Sequence, residues 1–269
     1  MTKIRPFLKW AGNKYHCMQT ILSSFPQANR LIEPFTGSGA IFVNSNFQSY
    51  LLCDENKDLI SLFKLIQNEG QDFIDYCALY FTMKNNCAEK YYEFREQFNK
   101  CRNQKKRAAL FLYLNRHGYN GLCRYNQKGL YNVPFGLYTK PYFPQKEMDY
   151  FHQKTKVAIF TQNDFRTTFA QAQPGDLIYC DPPYVPLSAS SNFVSYTNKK
   201  FQEKDQIDLA FLAEQSSLRG IPVVISNHDT EFTRHYYRHS EILSFPVKRY
   251  ISCNAAKRAP AQELVAIFK

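Results

Sequence analysis

The chain lacks any pair of cysteines at C-x2-C spacing. Its eight cysteines, at positions 17, 53, 77, 87, 101, 123, 180 and 253, are scattered over 269 residues. That spacing excludes a zinc ribbon, and reduced thiols are expected. The six histidines form no H-E-x-x-H motif, so no metal, structural or catalytic, is expected. No apolar run approaches a membrane span, and Met1 to Pro6 holds no apolar signal core; a soluble, intracellular protein is expected. No serine or cysteine stands in a G-x-S-x-G elbow, so a hydrolase is poorly supported. A Gly-Lys-Ser/Thr phosphate loop is missing, as are internal repeats and low-complexity tracts. Acidic residues are also in short supply: 23 Asp and Glu face 34 Lys and Arg, a net charge of +11. Such an excess favours a polyanionic partner, nucleic acid first and an acidic membrane surface second.

What is present is organised around Asp181-Pro182-Pro183-Tyr184. It follows Leu177 to Cys180, an apolar run of strand length. Two prolines end the strand, remove two backbone donors and fix φ, so the chain leaves in a stiff, extended form. A carboxylate, free carbonyls and an aromatic ring then stand at the carboxyl edge of a sheet, where open α/β folds bind ligands. The set suits a planar group with an exocyclic NH2: Asp181 and the Pro182 carbonyl accept one hydrogen each, and Tyr184 stacks. A Pro-Pro turn with a solvated carboxylate is the plain alternative.

Upstream, Phe7 to Tyr15 places Trp10, Gly12 and Lys14 within five residues, suited to covering a flat ligand and holding a carboxylate. The alternative is a turn into a helix over Tyr15 to Leu22. Next comes strand, glycine-rich turn and helix: Leu31 to Glu33, then Phe35-Thr36-Gly37-Ser38-Gly39. Only two of the three dinucleotide-fingerprint glycines are there, yet a G-x-G turn lets backbone approach an adenosyl ligand. A second run, Leu51 to Cys53, ends in Asp54, where a ribose diol would be gripped. Asp58 reads as the cap of a helix bearing Leu59, Leu62, Phe63 and Ile66.

From there to about Pro141 the alternation of strand and helix stops, and helical patterns continue through Phe73–Tyr80, Tyr91–Asn99 and Ala108–Leu114. Cations concentrate here, from Lys84, Lys90 and Arg95 to Arg124, Lys128 and Lys140, opposed only by Glu89, Glu93 and Glu96. A solvated basic face is the common explanation of such an imbalance, and its concentration in one segment favours a nucleic-acid surface. Asn115 to Asn126 is the densest recognition candidate. Asn120-Gly121 is a strong hairpin-turn dipeptide, with Asn132 to Gly136 as the returning strand. A β-ribbon can enter a major groove, where Arg124 could bind a guanine, Leu122 touch a thymine methyl and Tyr119 wedge or stack. Tyr125 and Phe135 read instead as packing on the helices beneath. After Pro141 the βα rhythm resumes with strands at Val157–Phe160, Leu177–Cys180, Ile221–Ser226, Ile242–Phe245 and Leu264–Phe268. The helix before the third of these carries Ile207, Ala210, Phe211 and Leu218 on one face. Val185 to Lys200 has the composition of a mobile lid. Asn227-His228-Asp229 reads as a cap for the helix beginning at Thr230, with a ligand or acid–base role for His228 as the other possibility.

Taken together, the Phe7–Lys14, Glu33–Gly39, Asn115–Asn126 and Asp181–Tyr184 blocks resemble the S-adenosylmethionine-dependent amino-methyltransferases. The likeness is to the DNA adenine-N6 methyltransferases of the Dam family, alpha group, which act on GATC. It covers Phe7 to about Leu264. It implies a Rossmann-like, seven-stranded α/β sheet formed by residues 1–56 and 142–269, with a helical and β-hairpin DNA-recognition domain inserted at 57–141. Trp10, Gly12, Lys14, Glu33, Phe35, Gly37, Gly39, Asp54 and Asp181 would hold S-adenosyl-L-methionine. Asp181, Pro182 and Tyr184 would carry catalysis on a base flipped out of double-stranded DNA. Lys9, Tyr119, Asn120, Leu122, Arg124 and Pro134 would address bases, and Arg95, Arg116, Asn126 and Asn132 phosphates. A monomer without an obligate protein partner, in the bacterial or phage cytoplasm and associated with the nucleoid, is implied. Three positions depart from the family pattern: Asn13 replaces a usual glycine, and Leu137 and Thr139 stand where basic residues often lie. The rival readings are a restriction–modification adenine methyltransferase with another target, an amino-methyltransferase acting on cytosine, RNA or protein glutamine, and an inactive DNA-binding regulator. Aspartate rather than serine or asparagine at 181 disfavours cytosine and glutamine in the family's terms.

Overall fold

The aliphatic runs all become strands of one sheet in a computed structural model that describes residues 3–184, 201–247 and 261–269. They are β1 (Arg30–Glu33), β2 (Ser49–Cys53), β3 (Ala158–Thr161), β4 (Asp176–Cys180), β5 (Val223–His228), β6 (Glu241–Val247) and β7 (Ala261–Phe268). Their order is β3-β2-β1-β4-β5-β7-β6. Neighbours from β3 to β5 are parallel, whereas β7 runs antiparallel to both β5 and β6. The chain builds outward from β1 to β3, then returns to lay β4 on the other side of β1. That reversal opens a crevice at the carboxyl ends of β1 and β4, flanked by Glu33 and Asp181.

Alternate residues of each strand serve two cores, as a period of two requires. Leu31, Leu52, Tyr179 and Val224 face one core, and Ile32, Leu51, Ile178 and Ile225 the other. The second core is covered by α8 (Phe165–Phe169) and α9 (Glu203–Leu218). The first runs without a break from Phe7 and Phe42 into the helical insert at Phe63, Tyr91, Phe98 and Phe111. The insert is built from α3 (Lys57–Glu69), α4 (Gln71–Ala78), α5 (Ala88–Lys100) and α6 (Gln104–His117). α6 is buried without interruption from Ala108 to Asn115, so it is apolar almost all round because its neighbours surround it. The remaining helices are α1 (Met18–Ser23), α2 (Ala40–Asn44), α7 (Gln145–Lys154) and α10 (Glu231–Tyr236).

Five sequence expectations are corrected. Asp58 does not cap α3: Asn56 does, accepting from the Asp58 and Leu59 N–H groups at 3.0 and 3.1 Å. Asp58 turns instead to Arg107, at 2.6 and 2.9 Å, and to the Tyr125 hydroxyl at 2.6 Å. The first helix starts at Met18 rather than Tyr15. On α9 the buried side is Gln206, Leu209, Ala210, Ala213 and Ser216, while Phe211 is 59% and Leu218 81% exposed. Thr230 caps its own helix through Thr233, and Asp229 pairs with Arg234. Lastly, residues 118–136 form no β-ribbon. Isolated bridges join Gly118 to Phe135 and Tyr125 to Tyr131, and Tyr119–Gly121 is a 3-10 turn. Asn120 and Gly121 have positive φ, +52° and +63°, but the chain reverses further on, where Gly129 donates to the Asn126 carbonyl and Asn126 to that of Leu130. The reason is Lys9: a Cβ on Gly121 would come within 2.1 Å of the Lys9 Cβ, so this glycine serves a close packing contact. The lid expected over Val185 to Lys200 lies outside the described residues.

Candidate active site

The turn after β1 is shaped by two left-handed glycines, Gly37 at φ +51° and Gly39 at φ +71°. Trp10 lies directly on the first, since a Cβ there would meet its Nε1 at 3.0 Å. Gly12 is also left-handed, at φ +76°. Asn13, the departure from the family pattern, supports the same turn by donating its amide to the Trp10 carbonyl at 2.9 Å. From the end of β2, Asp54 accepts the Gly37 N–H at 3.0 Å and the Asn56 N–H at 2.9 Å. Burial pushes its carboxyl up to about 6 against those two bonds. Phe35 stands apart from this cluster, packed with Phe165 and Phe201 at ring distances of 5.5 and 5.6 Å.

Glu33 is 2% exposed, and its Oε1 has no hydrogen-bond partner among the described residues. Burial first, and the Asp181 charge second, hold its carboxyl well above the usual range. A buried acceptor without a donor is costly unless something cationic fills the space beside it.

Across the crevice, Asp181 follows β4. Its Oδ1 takes the Lys14 ammonium at 3.2 Å and the Ser226 hydroxyl at 3.2 Å, and Ser226 is held by Tyr179 at 2.9 Å. Burial raises the Asp181 carboxyl to about 6, with Lys14 opposing. Lys14 also faces Glu263 at 3.8 Å and lies 4.0 Å from the centre of the Tyr184 ring. Burial alone would depress this ammonium; Asp181 and Glu263 outweigh it and raise it. The Tyr184 hydroxyl donates to Glu263 at 3.2 Å, and its ring meets His228 edge-on at 4.6 Å. Chemically the site is a fixed carboxylate beside an aromatic face, both already engaged by one N–H donor.

The basic side is less free than its composition suggested. Arg95 donates to the Val133 carbonyl at 2.9 Å, and Arg116 to that of Tyr142 at 3.1 Å. Lys9 donates to the Arg116 carbonyl and lies 3.6 Å over the Tyr138 ring; burial, then Arg116, lowers it to about 8. Asn126 caps the 126–130 turn, accepting from Lys128 and Leu130, and Asn132 accepts from Arg124 at 2.8 Å. Tyr119, Asn120, Arg124 and Pro134 are exposed on one loop, with Leu122 half-buried among them. Tyr125 packs against Tyr131, and Phe135 against Tyr91. Leu137 is 85% exposed at φ +54°, and Thr139 is exposed too.

Sequence reading missed four members of these networks. Ser226 begins the polar end of β5 and Glu263 lies in the polar start of β7, where strand ends near the sheet's rim carry polar residues. Asn115, 0% exposed, binds both the N–H and the carbonyl of Lys9. Gln206 is the fourth. Among the described residues, no group of three or more His, Cys, Asp or Glu is placed to hold a metal ion, and no helix is long and apolar enough to cross a membrane.

Sheet order, switch-point crevice and glycine turn define a Rossmann-like α/β fold, whose crevice at the ends of β1, β2 and β4 is where such folds bind ligands. A family model for D12 class N6 adenine-specific DNA methyltransferases matches residues 10–251, and the chain belongs to that family. It is 46% identical over 269 residues to a DNA adenine methylase of Escherichia coli K12, covering all of this chain and 97% of that protein. A DNA adenine methylase of Vibrio cholerae is 47% identical with the same coverage, and one of Serratia marcescens is 45% identical over the whole of both chains.

Proposed function

We propose that the protein methylates N6 of adenine in double-stranded GATC, using S-adenosyl-L-methionine, with residues 57–141 as the target-recognition unit between 1–56 and 142–269. S-adenosylmethionine supplies an electrophilic methyl group on a sulfonium. Trp10, Gly12, Gly37 and Gly39 offer a flat wall and close backbone for it, Asp54 two oxygens for a ribose diol, and Lys14 a partner for its carboxylate. The partnerless Glu33 Oε1 fits its ammonium. Phe35, packed on Phe165 and Phe201, is the weakest member of the set. Glu33→Gln is expected to weaken S-adenosylmethionine binding about ten- to a hundredfold, the scale of one charge-assisted hydrogen bond of about 1.5–3 kcal/mol. Equilibrium dialysis reads this, and unchanged affinity would remove Glu33 from the site.

The target adenine has to leave the helix, because N6 cannot meet a donor inside the stack, at a cost of roughly a few kcal/mol. Tyr184 stacks on it, a contact worth about 1–3 kcal/mol, and the exposed Tyr119 fills or props the gap. Asp181 and the Pro182 carbonyl accept the two N6 hydrogens and turn the lone pair out of conjugation. Displacement then proceeds by positioning and electrostatics, without a covalent enzyme intermediate. The observation that carries this reading is Lys14: an N–H donor already sits on Asp181 Oδ1 and over the Tyr184 ring.

Both Asp54 and Asp181 are raised by burial to about 6, and both act as acceptors. They are ionised above that value and protonated below it, so transfer is expected to fall as pH drops through about 6. Single-turnover methyl incorporation across that range checks it; a rate that holds well below 6 would mean neither charge is needed. The function itself is tested by incubating purified protein, S-adenosylmethionine and plasmid, then cutting with a nuclease blocked by GATC methylation. Protection supports the reading. Methyl incorporation without protection changes the target sequence, and no incorporation removes the activity.

A further inference from the structure

Prolines at 182 and 183 leave this tetrapeptide without two of its backbone donors, so its middle cannot be pinned by N–H groups of its own. With φ fixed at both, the two ψ angles are the soft ones, and whatever holds the Pro183 carbonyl removes one of them. Gln206 holds it. This α9 side chain, 1% exposed, donates Nε2 to the Pro183 carbonyl at 2.7 Å. The sense of the amide is dictated: a carbonyl only accepts, so the NH2 faces Pro183 and Oε1 must face donors. It does, with Asn227 Nδ2 at 3.1 Å and the Tyr237 hydroxyl at 3.5 Å. Asn227 also donates to the Tyr237 oxygen at 3.1 Å, and both residues are buried, at 0% and 1%. Three polar side chains from α9, β5 and the residue closing α10 thus form one chain that ends on the second proline.

A core filled by leucine there would need no desolvation of amides, whereas a fully satisfied buried network gives rigidity. We propose that Gln206, oriented by Asn227 and Tyr237, is a positioning residue for methyl transfer. It sets the pitch of the tetrapeptide so that the Asp181 carboxylate and the Pro182 carbonyl converge on one amino group. The role rests on the reading of the site as N6-adenine methyl transfer.

The test uses the full chain, S-adenosylmethionine and a GATC duplex carrying adenine or 2-aminopurine at the target position. Gln206→Leu is expected to slow single-turnover transfer by about 10²-fold, the scale of a small misplacement of reacting groups. Cofactor affinity, duplex affinity and the 2-aminopurine signal of base extrusion should stay within about twofold, well under the tenfold that marks a lost contact. In the triple variant Gln206→Leu/Asn227→Leu/Tyr237→Phe all three side chains are apolar, so only the Pro183 carbonyl and the His228 N–H lose a partner, and removing the side-chain partners together restores part of the stability. Its melting temperature should lie above that of Gln206→Leu while transfer stays slow. If the rate recovers with stability, or if Gln206→Leu loses rate only in proportion to lost affinity, the side chain is merely structural and the proposal falls. A parent enzyme that transfers no methyl removes the underlying reading and this role with it; an active parent with unimpaired variants removes this role alone.

Discussion

Asp181→Ala is expected to reduce methyl transfer by about 10²–10³-fold, the loss seen when one preorganised polar group is taken from a transition state. Duplex binding should hardly change, because the side chains proposed for phosphates and base edges lie elsewhere, on α5, α6 and the 118–136 loop. The carboxylate is held from two sides, by Lys14 and by the Ser226 hydroxyl, each at 3.2 Å, so its aim is set before any ligand arrives. Its loss leaves Lys14, 5% exposed, with Glu263 alone at 3.8 Å, and some stability goes with it. Asp181→Asn keeps one acceptor and should lose less rate than the alanine variant. Rapid-quench incorporation of labelled methyl, beside fluorescence anisotropy on the duplex, separates the two effects. An alanine variant within tenfold of the parent rate would take the carboxylate out of the chemistry.

Asn115→Ala is expected to cost about 2–6 kcal/mol of folding free energy, from two backbone groups left unpaired in the interior at about 1–3 kcal/mol each. The amide of Asn115 closes on Lys9, accepting from its N–H at 2.9 Å and donating to its carbonyl at 2.6 Å, and it reaches the Gly121 carbonyl at 3.4 Å. One side chain therefore fastens the N-terminal segment to α6 and to the start of the 118–136 loop. Binding to GATC should weaken more than binding to unrelated duplex, since Lys9 and the loop move together while outer cations stay in place. Urea unfolding gives the first quantity as a midpoint shift at constant slope, and competition titration gives the second. A midpoint unchanged within error would mean water replaces the amide at no cost.

Six of the seven strands were legible because their burial on one or both faces writes a short apolar run into the sequence; β6, which buries no residue fully, was legible from Ile242, Leu243 and Phe245 alone. The glycine turn, Asp54 and the Asp181–Tyr184 stretch were legible for a related reason: their backbone demands are local. Failures came where a distant partner outweighed a local preference. Aspartate is a good helix cap, but Asn56 stands two residues earlier and Arg107, 49 positions away, captures Asp58. Asn120-Gly121 has the left-handed φ of a hairpin turn, yet it packs against Lys9 in the short 3-10 turn that follows α6. Phe211 and Leu218 lie at helical spacing with Ile207, while the face turned inward carries Gln206 and Ser216 because polar partners await them. Glu263 and Ser226 act on residues tens of positions away, so no window of neighbouring sequence names their partners.

The apolar core that passes unbroken from Phe42 and Leu52 to Phe98 and Phe111 sets how this enzyme can diversify. Residues 57–141 are not a cassette on a tether; cutting them out would take Phe63, Phe98 and Phe111 from the core they share with Phe42 and Phe151. If Tyr119, Leu122 and Arg124 read the bases, as proposed, a new target sequence arises by exchange of such rim side chains, with the helices beneath them retained.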